Sequence, residues 1–169
     1  MKKSVLRRSF NRILHLMARF APGSQSLRPF LHRLRGVTVK HGVFIGDDVY
    51  IDNEYPECVE IHENASISIR AVIIAHTRGS GRVILEKNSF VGPNVVLCCS
   101  AGRTIRIGEG AVIAAGVVVT HSVPARTMVV ASPSRAVARV NVPLTNQTSI
   151  NDFLAGIEPM KRKSPEREK

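Results

Sequence analysis

The chain has 169 residues, of which 44% are hydrophobic and only 5% aromatic, with no Trp and a net charge of +11. That length holds one domain with tails. The scarcity of rings for base stacking, with no nucleic-acid motif in view, turns the positive charge toward anionic lipid or an anionic glycan and away from nucleic acid. Three cysteines (Cys58, Cys98 and Cys99) are an odd number without metal-ligand spacing, so they exclude a disulfide framework and read as buried or half-buried thiols in a reducing, cytoplasmic compartment.

The charge is uneven. No acidic residue precedes Asp47, whereas ten basic ones do: Lys2, Lys3, Arg7, Arg8, Arg12, Arg19, Arg28, Arg33, Arg35 and Lys40. Within residues 1–20 the apolar positions Val5, Leu6, Phe10, Ile13, Leu14, Leu16, Met17 and Phe20 recur at spacings of three and four, which predicts a basic amphipathic helix. Arg12, His15 and Arg19 interrupt the apolar run, so neither an export signal nor a spanning helix is expected. Pro22 and Gly23 end the helix, residues 27–35 predict a second short one, and Gly36 turns the chain onward. This arm, residues 1–36, reads either as an attachment to anionic lipid at the inner face of a membrane or as a solvated helical cap.

From Val39 to Pro124 the chain divides into hexads: VKHGVF, IGDDVY, IDNEYP; IHENAS, ISIRAV, IIAHTR; LEKNSF, VGPNVV, LCCSAG; IGEGAV, IAAGVV, VTHSVP. The first place is aliphatic in every one: Val39, Ile45, Ile51, Ile61, Ile67, Ile73, Leu85, Val91, Leu97, Ile107, Ile113 and Val119. The fifth is Val, Ala, Ser or Thr in 11 of 12, with Tyr55 the exception. Extra residues follow each third hexad, so the unit is three hexads per turn with loops leaving one corner. A fixed period of this kind marks a solenoid, in which short strands stack and bury a column of aliphatics; an ordinary sheet has a period of two. About four coils form a small core whose open edges call for oligomerisation.

These hexads, with the stretch IGEGAVIAAGVVVTHSVPARTMVVASPSRAV at 107–137, resemble the hexapeptide-repeat acyltransferases, in particular galactoside, maltose and serine acetyltransferases and polysaccharide O-acetyltransferases. The resemblance spans about residues 37–140. It implies a mainly β fold, a left-handed parallel β-helix, although the general rule for parallel crossovers favours the right hand. It also implies a homotrimer with acetyl-CoA as acyl donor and no metal. By position it implies His76, just before the loop leaving coil two, as general base, whereas His41, His62 and His121 take no catalytic part. It places Pro93, Ala115, Thr120 and His121 along the pantetheine arm, and Arg135 and Arg139 at the nucleotide phosphates, where a guanidinium fork suits the ligand. Two departures bear on that set: the usual Gly-x-Pro turn is Ala131-Ser132-Pro133, and His121 replaces the usual Lys.

The irregular hexad IDNEYP leaves two readings: a loosely packed edge, or an acceptor pocket lined by Asp52, Asn53 and Glu54. Residues 141–169 are polar; Ser149 with Asp152 suggests the cap of a short helix, and KRKSPEREK reads as disordered. The resulting expectation is O-acetylation of a sugar hydroxyl by direct transfer, in cell-surface polysaccharide or lipid-linked glycan assembly. Two rival readings stand beside it: a zinc enzyme of the γ-carbonic anhydrase type, for which closely spaced histidines are wanting, and a scaffold without chemistry.

Overall fold

The computed structural model describes residues 5–132, 136–145 and 147–160. They fall into two compact units, one ending at Ala131 and one beginning at Ser132.

The first unit is a parallel β-solenoid of three sides. On the first side, β1 (Thr38–Val39), β4 (Val59–Ile61), β7 (Arg82–Leu85) and β10 (Thr104–Ile107) stack in that order. The second side stacks β2 (Phe44–Ile45), β5 (Ser66–Ile67), β8 (Phe90–Val91), β11 (Val112–Ile113) and β13 (Met128–Val129). The third stacks β3 (Tyr50–Ile51), β6 (Val72–Thr77), β9 (Val96–Ser100) and β12 (Val118–Val119).

The register aligns the first places of the hexads. Val39, Ile61, Leu85 and Ile107 stand one above another; so do Ile45, Ile67, Val91 and Ile113, and Ile51, Ile73, Leu97 and Val119. All twelve are buried, ten of them completely. Strands of two residues could not hold such side chains singly; stacking supplies both the backbone partners and the apolar surroundings. The fifth places are buried too, except where the chain leaves the coil: Tyr55 and Thr77 are half-buried and Ala101 is exposed.

The fourth place forms the corners. Asp48, Asn64, Arg70, Asn88, Asn94 and Gly116 there all take positive φ, between 53° and 70°. Asn, Asp and Gly tolerate that conformation, which is why they recur at the place. At second places the coils approach closely: a Cβ on Gly92 would lie 2.7 Å from the Ile113 carbonyl oxygen. Coil four is shorter than the hexads suggest. Val123 already bridges Ile107, and Val129 pairs with Ile113, so a partial fifth coil begins at Val123.

Two helices precede the coil, α1 (Val5–Phe20) and α2 (Leu27–Leu34), close to the spans read from the sequence. They change the account of the open edges. Coil one has no coil beneath it, and the first-place carbonyls of its three sides would otherwise lack donors. Arg33 Nε donates to the Val39 carbonyl at 2.7 Å, Arg28 Nη1 to Ile45 at 3.0 Å and Arg35 Nη2 to Ile51 at 2.5 Å and to Asp52 at 2.7 Å. Three arginines of the basic arm therefore cap one end of the solenoid within a single chain. Arg28 also pairs with Asp47, Arg19 with Asp48 and Arg8 with Glu54, so much of the arm's charge is engaged by coil one. Burial holds the Arg35 guanidinium down to about 10.

The second unit contains α3 (Ile150–Ala155), with the Asn151 N–H donating to Ser149 Oγ at 3.2 Å, and an antiparallel pair, β14 (Ala138–Val140) with β15 (Ile157–Pro159). The sequence suggested the helix and its cap but not the strand pair, and it put 138–140 at the end of the coil. The KRKSPEREK stretch lies outside the described residues.

Candidate active site

The third side of the coil carries a pocket of about 550 Å3 lined by Arg19, Asp48, Tyr50, Arg70, Val72, Ile74 and His76. β6 supplies Val72, Ile74 and His76 from its outward face, because alternate residues of a strand point the same way. α1 supplies Arg19, whose Nε donates to Asp48 Oδ1 at 2.7 Å, so the helix forms one wall. The ring of His15, on the inner face of α1, meets Tyr50 edge-on with centroids 4.7 Å apart. Burial pushes the Tyr50 phenol above its ordinary range, with the Asp52 charge adding to the effect. Its hydroxyl therefore stays a hydrogen-bond donor at neutral pH.

His76 sits at the pocket's end with 35% of its side chain exposed, and its Nδ1 lies 2.5 Å from Asp52 Oδ2. A carboxylate only accepts, so Nδ1 carries the hydrogen and a neutral ring presents a free lone pair at Nε2. Asp52 is completely buried. Its second oxygen accepts from the backbone N–H groups of Glu54 (2.9 Å) and Tyr55 (2.8 Å), and Oδ2 also accepts from Ala75 (2.7 Å). Four donors meet two oxygens, so the buried carboxylate is satisfied by hydrogen bonds within the chain. Tyr55 leans on the imidazole with centroids 5.6 Å apart. The irregular hexad is thus a support for His76, and Tyr55 departs from the small fifth place because the ring packs against that histidine.

The residues expected at an acceptor wall are placed differently. Asp52 has no exposed surface to offer an acceptor; it faces His76. Glu54 ion-pairs with Arg8 of α1 at 2.8 Å. Asn53 is half-buried, and neither residue lines the pocket. Arg19, Asp48, Tyr50 and Arg70 do line it, and sequence reasoning missed them. The Asp52 arrangement had a local signal: an Asp whose side chain takes the N–H groups two and three residues on is an Asx turn.

Pro93 and Ala115 share the corner between the second and third sides, joined by the Gly116 N–H donating to the Pro93 carbonyl at 2.9 Å. Thr120 and His121 are exposed, just past β12 on the third side. They lie two coils from the His76 coil, or about 10 Å at the usual strand spacing. Arg139 is exposed on β14 in the second unit, and Arg135 lies outside the described residues. Among the described residues no group of three or more His, Cys, Asp or Glu side chains is placed to hold a metal ion. None of the three cysteines is in a disulfide; Cys99 is buried and the other two are half-buried.

Comparison with known proteins adds a partial match to a repeat family and a fold. Residues 82–121 match the family model described as the hexapeptide repeat of succinyl-transferase. A 2,3,4,5-tetrahydropyridine-2,6-dicarboxylate N-acetyltransferase of Staphylococcus aureus is 31% identical over 81 residues, 48% of this chain and 31% of that protein. The chain therefore spans about a third of the length of the curated relatives it matches. A hexapeptide-repeat-containing acetyltransferase of Vibrio cholerae superposes with a TM-score of 0.54 over 77% of this chain and 88% of the other, at 20% identity. The same protein in complex with acetyl coenzyme A gives 0.54 over 77% and 85%, at 18% identity. Stacked hexads, the match at 82–121 and these superpositions agree on the fold: the chain has the coiled architecture seen in the hexapeptide-repeat-containing acetyltransferase of Vibrio cholerae.

Proposed function

We propose that the chain is an acetyl-CoA-dependent O-acetyltransferase in which His76 is the general base. The observation that carries this reading is the half-exposed imidazole, fixed by a buried carboxylate at 2.5 Å, at the end of a pocket of about 550 Å3. A base so held offers Nε2 to the pocket and needs no rearrangement to take a proton.

Acetyl-CoA supplies an already reactive thioester, so no protein nucleophile is required. His76 Nε2 accepts the proton of the acceptor hydroxyl as that oxygen attacks the thioester carbonyl. The C–S bond breaks, and the departing thiolate takes the proton back from His76, which leaves an ester and free thiol. Asp52 holds the ring in its tautomer and stabilises the imidazolium between the two transfers. The Tyr50 hydroxyl, as a donor at the pocket wall, orients the acceptor. The fit to a pantetheine arm rests on the upper corner, where Pro93, Ala115 and Gly116 are small or compact and a Cβ at Gly116 would meet nothing within 4 Å. Thr120 and His121 continue that path. A homotrimer would let a second copy close the groove along the third side, where Val118 is 64% exposed. A sugar hydroxyl in cell-surface polysaccharide or lipid-linked glycan assembly is the acceptor this reading favours.

The test is thiol release from acetyl-CoA with a panel of glycans and amino sugars. A product ester cleaved by mild base is the expected result; an amide product would transfer the reading to N-acetylation, and no acceptor-dependent thiol release would overturn it.

A further inference from the structure

α1 is inverted. A surface helix ordinarily turns its apolar stripe inward and its charges to water. Here Asn11, Leu14, His15 and Ala18 are the buried residues, at 2%, 7%, 4% and 1% exposure. Leu6, Phe10, Ile13, Met17 and Phe20, spaced four, three, four and three apart on one face, all point out, from 49% exposure at Phe10 to 84% at Leu6. α2 repeats the pattern with Leu27, Phe30 and Leu34, at 40–50% exposure. A monomer rarely leaves so large a set of apolar side chains to water unless something covers them.

Charge chooses the occupant. Lys2, Lys3, Arg7 and Arg12 belong to the same stretch of sequence, and no acidic residue precedes Asp47. Arg7 and Arg12 are exposed on α1 itself. Two such faces from two copies would bring cation against cation. An anionic bilayer presents the opposite charge together with an apolar interior. We infer that the outward face of α1 and α2 is a membrane-binding surface that lies in the headgroup region of an anionic bilayer.

The helix lies on the membrane and does not cross it. α1 has 16 residues, fewer than the roughly 20 a spanning helix needs, and no helix among the described residues is long and apolar enough to span. Apolar side chains enter the acyl boundary while arginines remain with the phosphates. Because α1 also brings Arg19 into the His76 pocket, docking would hold the pocket mouth near the headgroups, where a lipid-linked sugar is presented. That last consequence rests on the functional reading above; the lipid binding does not.

The absence of Trp from the chain makes a clean probe. Phe10→Trp in the full chain is titrated with phosphatidylglycerol-containing vesicles, with phosphatidylcholine vesicles, and with both carrying brominated acyl chains. The expected result is a blue shift and bromine quenching, with partition into the anionic vesicles at least about tenfold stronger and weakened by salt. Adding Ile13→Asp and Met17→Asp, both at exposed positions, should cut partition by about tenfold or more with the melting temperature held. Emission unchanged by either vesicle overturns the inference. So does emission already blue without lipid, unquenched by bromine and accompanied by a larger assembly in sedimentation, which would assign the face to a second copy. Thiol release followed on the same samples keeps this outcome separate from that of the acetyl-transfer reading.

Discussion

Coils two and three have a neighbouring coil on both sides, whereas coil one has only helices beneath it. The same hexad is handled differently in the two settings. In the middle coils each backbone group finds the next rung, and the first places need only be aliphatic: Ile61, Ile67, Ile73, Leu85, Val91 and Leu97 show no exposure at all. At coil one the outer carbonyls are met by Arg28, Arg33 and Arg35, and the last hexad gives up regular packing to hold Asp52 against His76. Repetition secures the fold; the His76–Asp52 pair is built where repetition is interrupted.

The contrast can be broken by substitution. Ile67→Ala, in the middle of the second column, should cost about 2–5 kcal/mol, since neither neighbouring coil can collapse into the cavity. Val129→Ala, half-buried in the partial fifth coil, should cost well under half of that. Equal losses in chemical denaturation would contradict the difference between interior and end coils.

The cap should be the acid-sensitive region. Burial, with Arg35 adding to it, lowers His15 to about 4 and holds His32 well below its ordinary range. Asp48 and Asp52 act the other way on His15 without cancelling the shift. The unfolded chain binds a proton on each ring near pH 6.5, but in the folded chain His15 does not until about pH 4, and His32 only well below its ordinary range. Stability is therefore complete above 6.5 and falls as pH drops through that window, by no more than about 3 kcal/mol from His15. Melting temperatures across this range should fall less in a His15→Leu, His32→Leu variant; the same slope in both would contradict the assignment.

The smallest effect sharpens the capping argument. Arg35→Met removes a buried donor from the Ile51 and Asp52 carbonyls and should cost about 1–3 kcal/mol, whereas Arg33→Met, exposed at the Val39 carbonyl, should cost less than about 1.5 kcal/mol because water takes the donor's place. Reversed magnitudes in denaturant melts would show that the arginines are not what completes this end of the coil.

The interior was legible because period and burial coincide: a first-place aliphatic has one place to go. The corners could also have been read, since Asn64, Asn88, Asn94 and Gly116 recur at the fourth place for a conformational reason. The cap was legible only as one of two readings. A basic arm reads as a lipid attachment or a solvated helical cap, and only the docked helices show Arg28 and Arg35 spent on carbonyls and Arg19 on Asp48. His76 was singled out by a positional resemblance, while Asp52, its hydrogen-bond partner, was read as a candidate for the acceptor wall. Asp52 and His76 are 24 residues apart and meet only through the register of β3 with β6.

The most direct test is the rate of acceptor-dependent thiol release from acetyl-CoA in wild type, His76→Ala and Asp52→Asn. With His76 as base, His76→Ala should lose about 10²–10⁴-fold and Asp52→Asn a smaller share of the same contribution, with the melting temperature of His76→Ala little changed. Transfer that survives His76→Ala at the wild-type rate would contradict the account.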